Sequence, residues 1–531
     1  MIAPIRPPFS RRRFLATSAA AAAVTTLGGV AMPYISRAND RPLITHGLQS
    51  GDVSTDSAVV WARADLPARM LVEFATTDSF KDIRGGTFVD ALPDSDFTAK
   101  ALLDGLPAGQ DIFYRVRLQD LSAPTIVGEP MIGRFRTAPA DRRSVSFVWS
   151  GDTLGQGWGI DESRGGMKTY ATMRRNRPDF FIHSGDNIYA DNPIAAEKTM
   201  PNGEIWKSIV TEEKSRVAET LADFRGNYKY GLLDTNLRAF NAEIPMFSQW
   251  DDHEVTNNWW PEEPLSRDAH KRAKYSEKNI LLLAARSNRA FREYMPMRET
   301  QHEPGRIYRK IAYGPLLDVF MLDMRSYRGP NGENNDGSYG PASHFLGPRQ
   351  VAWLKRGLMN SQATWKVIAA DMPISLVVVY DTDRNWGFEA IAQGDGPARG
   401  RELEIADLLS FIKHAGIRNT VWLTADVHYT AAHRYDPNKA QFQDFEPFWE
   451  FVSGPIHAGT FGPNPLDNTF GPQVIFQKAP GKDQGLNLPP SDGLQFFGHV
   501  AIDGATEVMT VTLKDVADAN LWSTAIEPKL G

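Results

Sequence analysis

Four short segments of the sequence collect the side chains that hold cations, and each follows an apolar run. They are Ser150-Gly151-Asp152, then His183-Ser184-Gly185-Asp186-Asn187-Ile188-Tyr189-Ala190-Asp191, then Trp250-Asp251-Asp252-His253-Glu254-Val255-Thr256-Asn257-Asn258, and last Thr424-Ala425-Asp426-Val427-His428. A Gly-Asp pair after a strand is a common turn, so any one of them is weak alone. Four in succession point to one shared site. Carboxylates crowded into a partly buried cleft raise one another's pKa values, and a multivalent cation removes that penalty. Asp251 and Asp252 adjoin each other and His253 in a stretch rich in tryptophan: Trp250, Trp259 and Trp260. Tyr189 adds a phenol, whose deprotonated form is a good partner for Fe(III). Oxygen ligands in excess of imidazoles suit hard cations such as Fe(III), Ca(II) or Mn(II) better than a structural zinc.

Residues so far apart in the chain can meet only if strands deliver them to one end of a sheet. Residues 145–149 read as a buried strand running into Asp152. A helical stretch around 167–175 and a second apolar strand at 180–183 follow. This is a βαβ rhythm, in which chemistry gathers in the loops past the strand ends. Residues 266–294, charged on one side and apolar on the other, predict an inserted helical excursion. Residues 306–321 and 497–513 predict β-hairpins, turning at Tyr313-Gly314-Pro315 and at Asp503-Gly504. Ahead of all this, residues 42–139 hold short alternating strands, among them 57–62, 70–75 and 112–118, broken by turn residues as in a β-sandwich. Leu106-Pro107-Ala108-Gly109 before Phe113-Tyr114-Arg115-Val116 resembles the turn into a late strand of a fibronectin type III domain, with Ile112 where a corner tyrosine often stands. Trp61 and Tyr114 are expected as core residues.

Composition narrows the function. With 42% hydrophobic and 23% charged residues, the chain has a globular balance, and 531 residues suggest two or three domains. A net charge of −6 argues against nucleic acid as a partner. With no cysteine, disulfides, thiolate metal sites and cysteine nucleophiles are excluded. Ser10-Arg11-Arg12-Arg13-Phe14-Leu15, an apolar run over 15–31 and Ser36-Arg37-Ala38 have the form of a twin-arginine signal. The expectation is export by the twin-arginine machinery to the periplasm or beyond, with no permanent membrane span.

The order Gly-Asp, Gly-Asp-x-x-Tyr, Asp-Asp-His-Glu and Asp-Val-His resembles the alkaline phosphatase D (PhoD-like) family of the metallophosphoesterase superfamily. Residues 181–186, 250–258, Leu322-Asp323-Met324-Arg325-Ser326-Tyr327-Arg328, and Leu346-Gly347 with Gln350, Trp353 and Leu354 agree with it. The resemblance implies an α/β fold: a metallophosphoesterase-like two-sheet sandwich flanked by helices, preceded by a small all-β (fibronectin III-like) sandwich. The boundaries are 1–38 for the signal peptide, 40–140 for the sandwich and 144–531 for the catalytic domain.

It also implies a cluster of Fe(III) with Ca(II), Mn or Zn being alternatives. Asp186 would bridge the metals, Tyr189 would be the phenolate on iron, and Asp152 would be the ligand of the first motif. Asp426 and His428 would close the site. Asp252 and Asn257 would be further ligands, with His253 an outer histidine acting on the phosphate. Relatives of the best-known type have a cysteine beside the first motif, where this chain has Gly151 and Asp152. Arg325, directly after a strand, is expected to clasp phosphate oxygens. Arg328 is left between that role and an ion pair, His433 between a supporting and a structural role, and His457 falls at the rim. Thr153 reads as a turn residue. The implied activity is hydrolysis of phosphate mono- or diesters by metal-activated hydroxide. A phospholipase-type or nucleotide phosphodiesterase and a cell-envelope binding protein with a degenerate phosphatase fold are the alternatives.

Overall fold

The computed structural model describes residues 41–529, except 267, 301, 383 and 384. The expected signal peptide lies outside them. Among the described residues no helix is long and apolar enough to cross a membrane.

Two large sheets face each other. The first has nine strands in the order Asn520–Ile526, Met509–Asp515, Phe496–Ile502, Val145–Ser150, Phe180–Ser184, Met246–Gln249, Ile44–Gly51, Ala58–Ala64 and Thr98–Leu103. The second has seven: Arg309–Ala312, Leu317–Met321, Trp365–Ala369, Thr420–Thr424, Phe448–Val452, Thr430–Tyr435 and Pro472–Lys478. Strand periodicity of two explains the layers. Phe147, Trp149, Phe180 and Ile182 point between the sheets, onto Val319, Val367, Leu423 and Phe451. Val148 and Phe181 point outward, under Tyr170 and Met173 of helix Lys168–Arg175 and Phe291 of helix Ile280–Tyr294. Helices Pro348–Met359 and Glu402–His414 cover the other outer face through Leu354, Leu358, Leu408 and Ile412. The result is the expected two-sheet α/β sandwich flanked by helices.

Both expected hairpins form, Arg309–Ala312 with Leu317–Met321 and Phe496–Ile502 with Met509–Asp515. The helical excursion is in two pieces, Ala269–Lys274 and Ile280–Tyr294. Asn279 starts the second by accepting the free N–H groups of Leu281 and Leu282. Ile280, Leu283, Ser287, Ala290, Phe291 and Tyr294 form its buried face at helical spacing.

At the N-terminal end, strands Gly85–Ala91, Ala68–Ala75, Asp111–Asp120 and Met131–Arg136 form a four-stranded sheet. It lies over the last three strands of the nine-stranded sheet, with Val60, Met70, Val72, Ile112 and Val116 in the shared core. This sandwich is not separate in hydrogen bonding, because Gly51 pairs in parallel with Met246. Tyr114 and Trp61 are both fully buried. Trp61 faces out of the sandwich: its Nε1 donates to Glu293 O at 2.8 Å and its ring lies 5.8 Å from that of Tyr294.

Candidate metal centre

The four segments expected to hold cations converge. Asp152 follows strand Val145–Ser150, Asp186 follows Phe180–Ser184, Asp251 and Asp252 follow Met246–Gln249, and Asp426 follows Thr420–Thr424. The first three strands are parallel neighbours in one sheet and the fourth belongs to the other, so their ends share one edge of the sandwich. Ligand atoms lie within 4.8 Å of one another in three overlapping groups: Asp152, Asp186 and His428; Asp186, Asp252 and His253; Asp251, Asp252 and Asp426. Asp186 and Asp252 each belong to two groups, which makes the cluster continuous.

The backbone is bent sharply to present them. Asp152, Asp186, Asp426 and His428 have φ of 63°, 53°, 65° and 59°, in the left-handed region that side chains rarely enter. Such strain persists where the surroundings over-determine it, commonly at functional sites. Close approach is enforced by two glycines. A Cβ on Gly454 would lie 2.2 Å from Asp152 Oδ2, and one on Gly151 would lie 2.8 Å from the Cβ of Ala425. Gly151 therefore stands where no side chain, a cysteine included, fits this packing.

The electrostatics are those of crowded carboxylates that the chain's own cations answer only in part. Both oxygens of Asp152, Oδ2 of Asp251, Oδ1 of Asp252 and Oδ2 of Asp371 are buried without a hydrogen-bond partner among the described residues. Burial, and after it the neighbouring carboxylates, push Asp152, Asp186, Asp371 and Asp426 well above the usual carboxylate range. His428 is prepared as a neutral donor. Its Nδ1 faces the carbonyl of Gly459, so that nitrogen carries the proton and Nε2 is left with a lone pair. Burial lowers its pKa to about 4. Tyr189 Oη lies 2.9 Å from His428 Nε2, which brings phenol and imidazole to one point. Buried oxygen atoms without partners, one imidazole and one phenol suit a hard cation.

His253 is built differently. Its Nδ1 meets Asp191 Oδ1 at 2.6 Å, its Nε2 is 4.0 Å from Asp252 Oδ1, and its ring stacks on Tyr189 at 4.2 Å. Burial opposes its protonation, but Asp191 and Asp252 outweigh burial and raise its pKa to about 9. It faces an open cleft of about 650 Å³ whose lining includes Gln156, Asp191, Asn257, His270 and Lys274.

Not every expected residue joins the cluster. Asn257 is exposed on the rim of this cleft, and its backbone N–H donates to Asp191 at 3.1 Å; no described contact carries its side chain inward. Arg325 departs furthest from expectation. It is fully buried, with Nε on Asp251 at 2.5 Å and Nη1 on Glu389, so little of the guanidinium is left to clasp a phosphate. Only Nη2 lacks a hydrogen bond, 3.9 Å from Asp426 Oδ1. Arg328 resolves to an ion pair, with Glu389 at 2.8 Å. His433 pairs with Glu450 at 2.9 Å inside the second sheet. His457 is buried against Trp206, its Nε2 3.2 Å from Gly159 O, and does not reach the rim. Thr153 is buried, and its hydroxyl meets Tyr170 Oη at 2.9 Å and His183 Nε2 at 2.6 Å, contacts to distant segments that a turn residue does not predict.

Asp191, Glu254, Asp371 and Glu389 were not expected. Glu254 accepts the N–H groups of Asp186, Asn187 and Asp251 at 3.2, 2.5 and 2.7 Å, and so ties two ligand loops together. Asp371 follows strand Trp365–Ala369 by two positions, the same strand-end signal as the other four, and could have been found. Glu389 carries no such signal.

A two-layer sandwich of sheets with helices outside, holding a buried acidic and histidine cluster at its strand ends, is a metallophosphoesterase-like α/β protein. Residues 147–513 match the PhoD-like phosphatase family and residues 29–139 match the N-terminal domain of PhoD-like phosphatases, so the chain belongs to the PhoD-like phosphatase family. It is 28% identical over 414 residues to alkaline phosphatase D of Bacillus subtilis (strain 168), an alignment that covers 72% of this chain. The chain spans 64% of the length of that curated relative. Its fold is similar to a solved structure of PhoD, with a TM-score of 0.66 at 20% identity over 93% of this chain and 90% of that one. It is also similar to the purple acid phosphatase PPD1 from yellow lupin, with a TM-score of 0.55 at 11% identity over 92% of this chain and 74% of that one.

Proposed function

We propose that this protein is an exported, metal-dependent phosphoesterase that hydrolyses phosphate mono- or diesters. One observation carries the reading: buried carboxylate oxygens from strand-end loops of both sheets meet without partners. Asp152, Asp186, Tyr189, Asp252, Asp426 and His428 would hold the cations, with Asp186 shared between two positions. Cations bound there would supply Lewis acidity, neutralising phosphate charge and making a water acidic enough to attack. His253, protonated and fixed by Asp191, would give its proton to the departing alkoxide. Arg325 would act through the carboxylates around it, holding Asp251 and the ligand Asp426 in place against their mutual repulsion.

Fe(III) beside Ca(II) fits the phenol of Tyr189 and the excess of oxygen donors, with Mn or Zn as alternatives. Residues 1–38 would be the twin-arginine signal directing the chain to the periplasm or outside, 40–140 the sandwich and 144–531 the catalytic domain. The test is elemental analysis of the purified protein, followed by assay on aryl phosphate mono- and diesters. Expected are iron and calcium, turnover lost on chelation, and a visible phenolate-to-iron band abolished by Tyr189→Phe. A colourless, active protein containing zinc or manganese would overturn the iron assignment. No turnover by metal-replete protein would overturn the activity.

A further inference from the structure

The cleft beside His253 has a strained residue on its wall that no role in cation binding explains. Gln156 has φ of +62°, a conformation that Asn, Asp and Gly adopt far more readily than Gln. Its backbone is held there from both sides. The N–H donates to Asn192 Oδ1 at 3.2 Å, and the carbonyl accepts from Lys198 Nζ at 2.7 Å and Asn487 Nδ2 at 2.9 Å. Lys198 is itself fixed over the ring of Trp158 at 3.7 Å, and Trp158 Nε1 donates to Asn487 Oδ1 at 2.8 Å. Held so, Gln156 lines the cleft, and its side-chain amide makes no hydrogen bond to another described residue. Apart from Ala269 and Ala273, every residue lining the cleft is polar or charged.

We propose that Gln156 is a specificity-determining residue whose amide reads hydroxyl groups on the leaving alcohol, so that the substrates are esters of hydroxylated, hydrophilic alcohols. The inference rests on the phosphoesterase reading above. His253 lies both beside the cation cluster and on the wall of this cleft, so the alcohol of an ester held at the centre extends into it. A polyol, sugar or nucleoside satisfies the amides of Gln156 and Asn257. A bare alkyl or acyl chain would cover them and leave their hydrogen bonds unmet, which costs affinity.

The full, metal-replete chain is assayed for phosphate release from glycerol 1-phosphate and propyl phosphate, which differ only in two hydroxyls. The wild type is expected to have the higher kcat/KM on glycerol 1-phosphate. Gln156→Ala is expected to cut the ratio of the two kcat/KM values about tenfold, the worth of one hydrogen bond. Gln156→Gly, which relieves the left-handed backbone, controls for folding and should shift the ratio equally. A wild type that prefers propyl phosphate, or variants that keep the wild-type ratio, would overturn the proposal. If wild-type protein releases phosphate from neither ester nor from p-nitrophenyl phosphate, the phosphoesterase reading itself fails and this inference falls with it.

Discussion

The tripeptide Ser-Gly-Asp occurs three times in the nine-stranded sheet, as Ser50-Gly51-Asp52, Ser150-Gly151-Asp152 and Ser184-Gly185-Asp186, and the aspartates of the first two have opposite fates. Both end a strand, both are 1% exposed, and both have positive φ, 44° and 63°. Asp52 receives Arg309 Nε at 2.8 Å, Arg309 Nη2 at 2.7 Å and the N–H of Arg298 at 2.8 Å. Asp152 has no hydrogen-bond partner for either oxygen among the described residues. The motif sets the backbone, and the partner sets the meaning. A buried carboxylate answered by arginine is a structural joint, and one answered by nothing in the chain has a place for a cation.

The largest effect that would break this contrast is at Asp152. Asp152→Asn should lower phosphoester turnover more than about a hundredfold and empty at least one cation position, because it removes a ligand charge. Chelation should lower the melting temperature of the wild type, which loses a bound stabiliser, and lower that of the variant much less. A variant with full metal content would place Asp152 beside Asp52 as a structural residue.

Asp52→Asn should do the converse. It leaves Arg309 buried without its counter-charge, and breaking such a pair costs about 3–5 kcal/mol. Denaturant unfolding should show that loss while elemental analysis shows unchanged metal content. Metal loss in Asp52→Asn at a temperature where the fold is intact would erase the distinction.

A third buried carboxylate sharpens the comparison, with a smaller effect. Glu402 is fully buried in the first turn of helix Glu402–His414, beside the buried Asp467. Burial first, and then Asp467, push Glu402 up to about 9, so the pair is answered by a shared proton. A raised folded pKa means that its stabilising contribution is fully present below the unfolded value, about 4.5, and is lost as pH rises through about 9. Glu402→Gln supplies a permanent N–H donor. It should leave stability near pH 5 almost unchanged and flatten the decline toward pH 9, a slope of at most about 1.4 kcal/mol per pH unit. Unfolding midpoints at pH 5 and pH 9 check it, and an unchanged slope would refute the shared proton.

The strand ends were legible in the sequence because each ligand loop follows an apolar run with the period and length of a strand. The hairpins were legible because Tyr313-Gly314-Pro315 and Asp503-Gly504 interrupt alternating residues. The continuity of the N-terminal strands with the central sheet was not, since the register of Gly51 on Met246 depends on contacts between distant segments. The burial of Arg325 was hidden for the same reason: its partners Asp251 and Glu389 come from other loops, and an arginine after a strand looks alike whether it faces phosphate or carboxylate. Asp191 was visible within its motif, but its role exists only through His253. Gln156 left no trace, because left-handed backbone in a glutamine is imposed by neighbours such as Lys198 and Asn487.

The strand that ends in Asp152 has one hydrogen-bonded neighbour, Phe180–Ser184, close by in the chain, and another, Phe496–Ile502, near its far end. By contrast, strand Ala68–Ala75 finds both its partners within the first 120 residues. Contacts between close residues form early, and those between remote ones wait on loop closure. On a ribosome, the four-stranded N-terminal sheet can take shape while later residues are still being added, whereas the bed of the cation cluster cannot close until the strand at Phe496 has emerged. Any cation taken up by this cluster would therefore arrive late in the life of each molecule, and a chain truncated before that strand would lack a neighbour of the strand that carries Asp152.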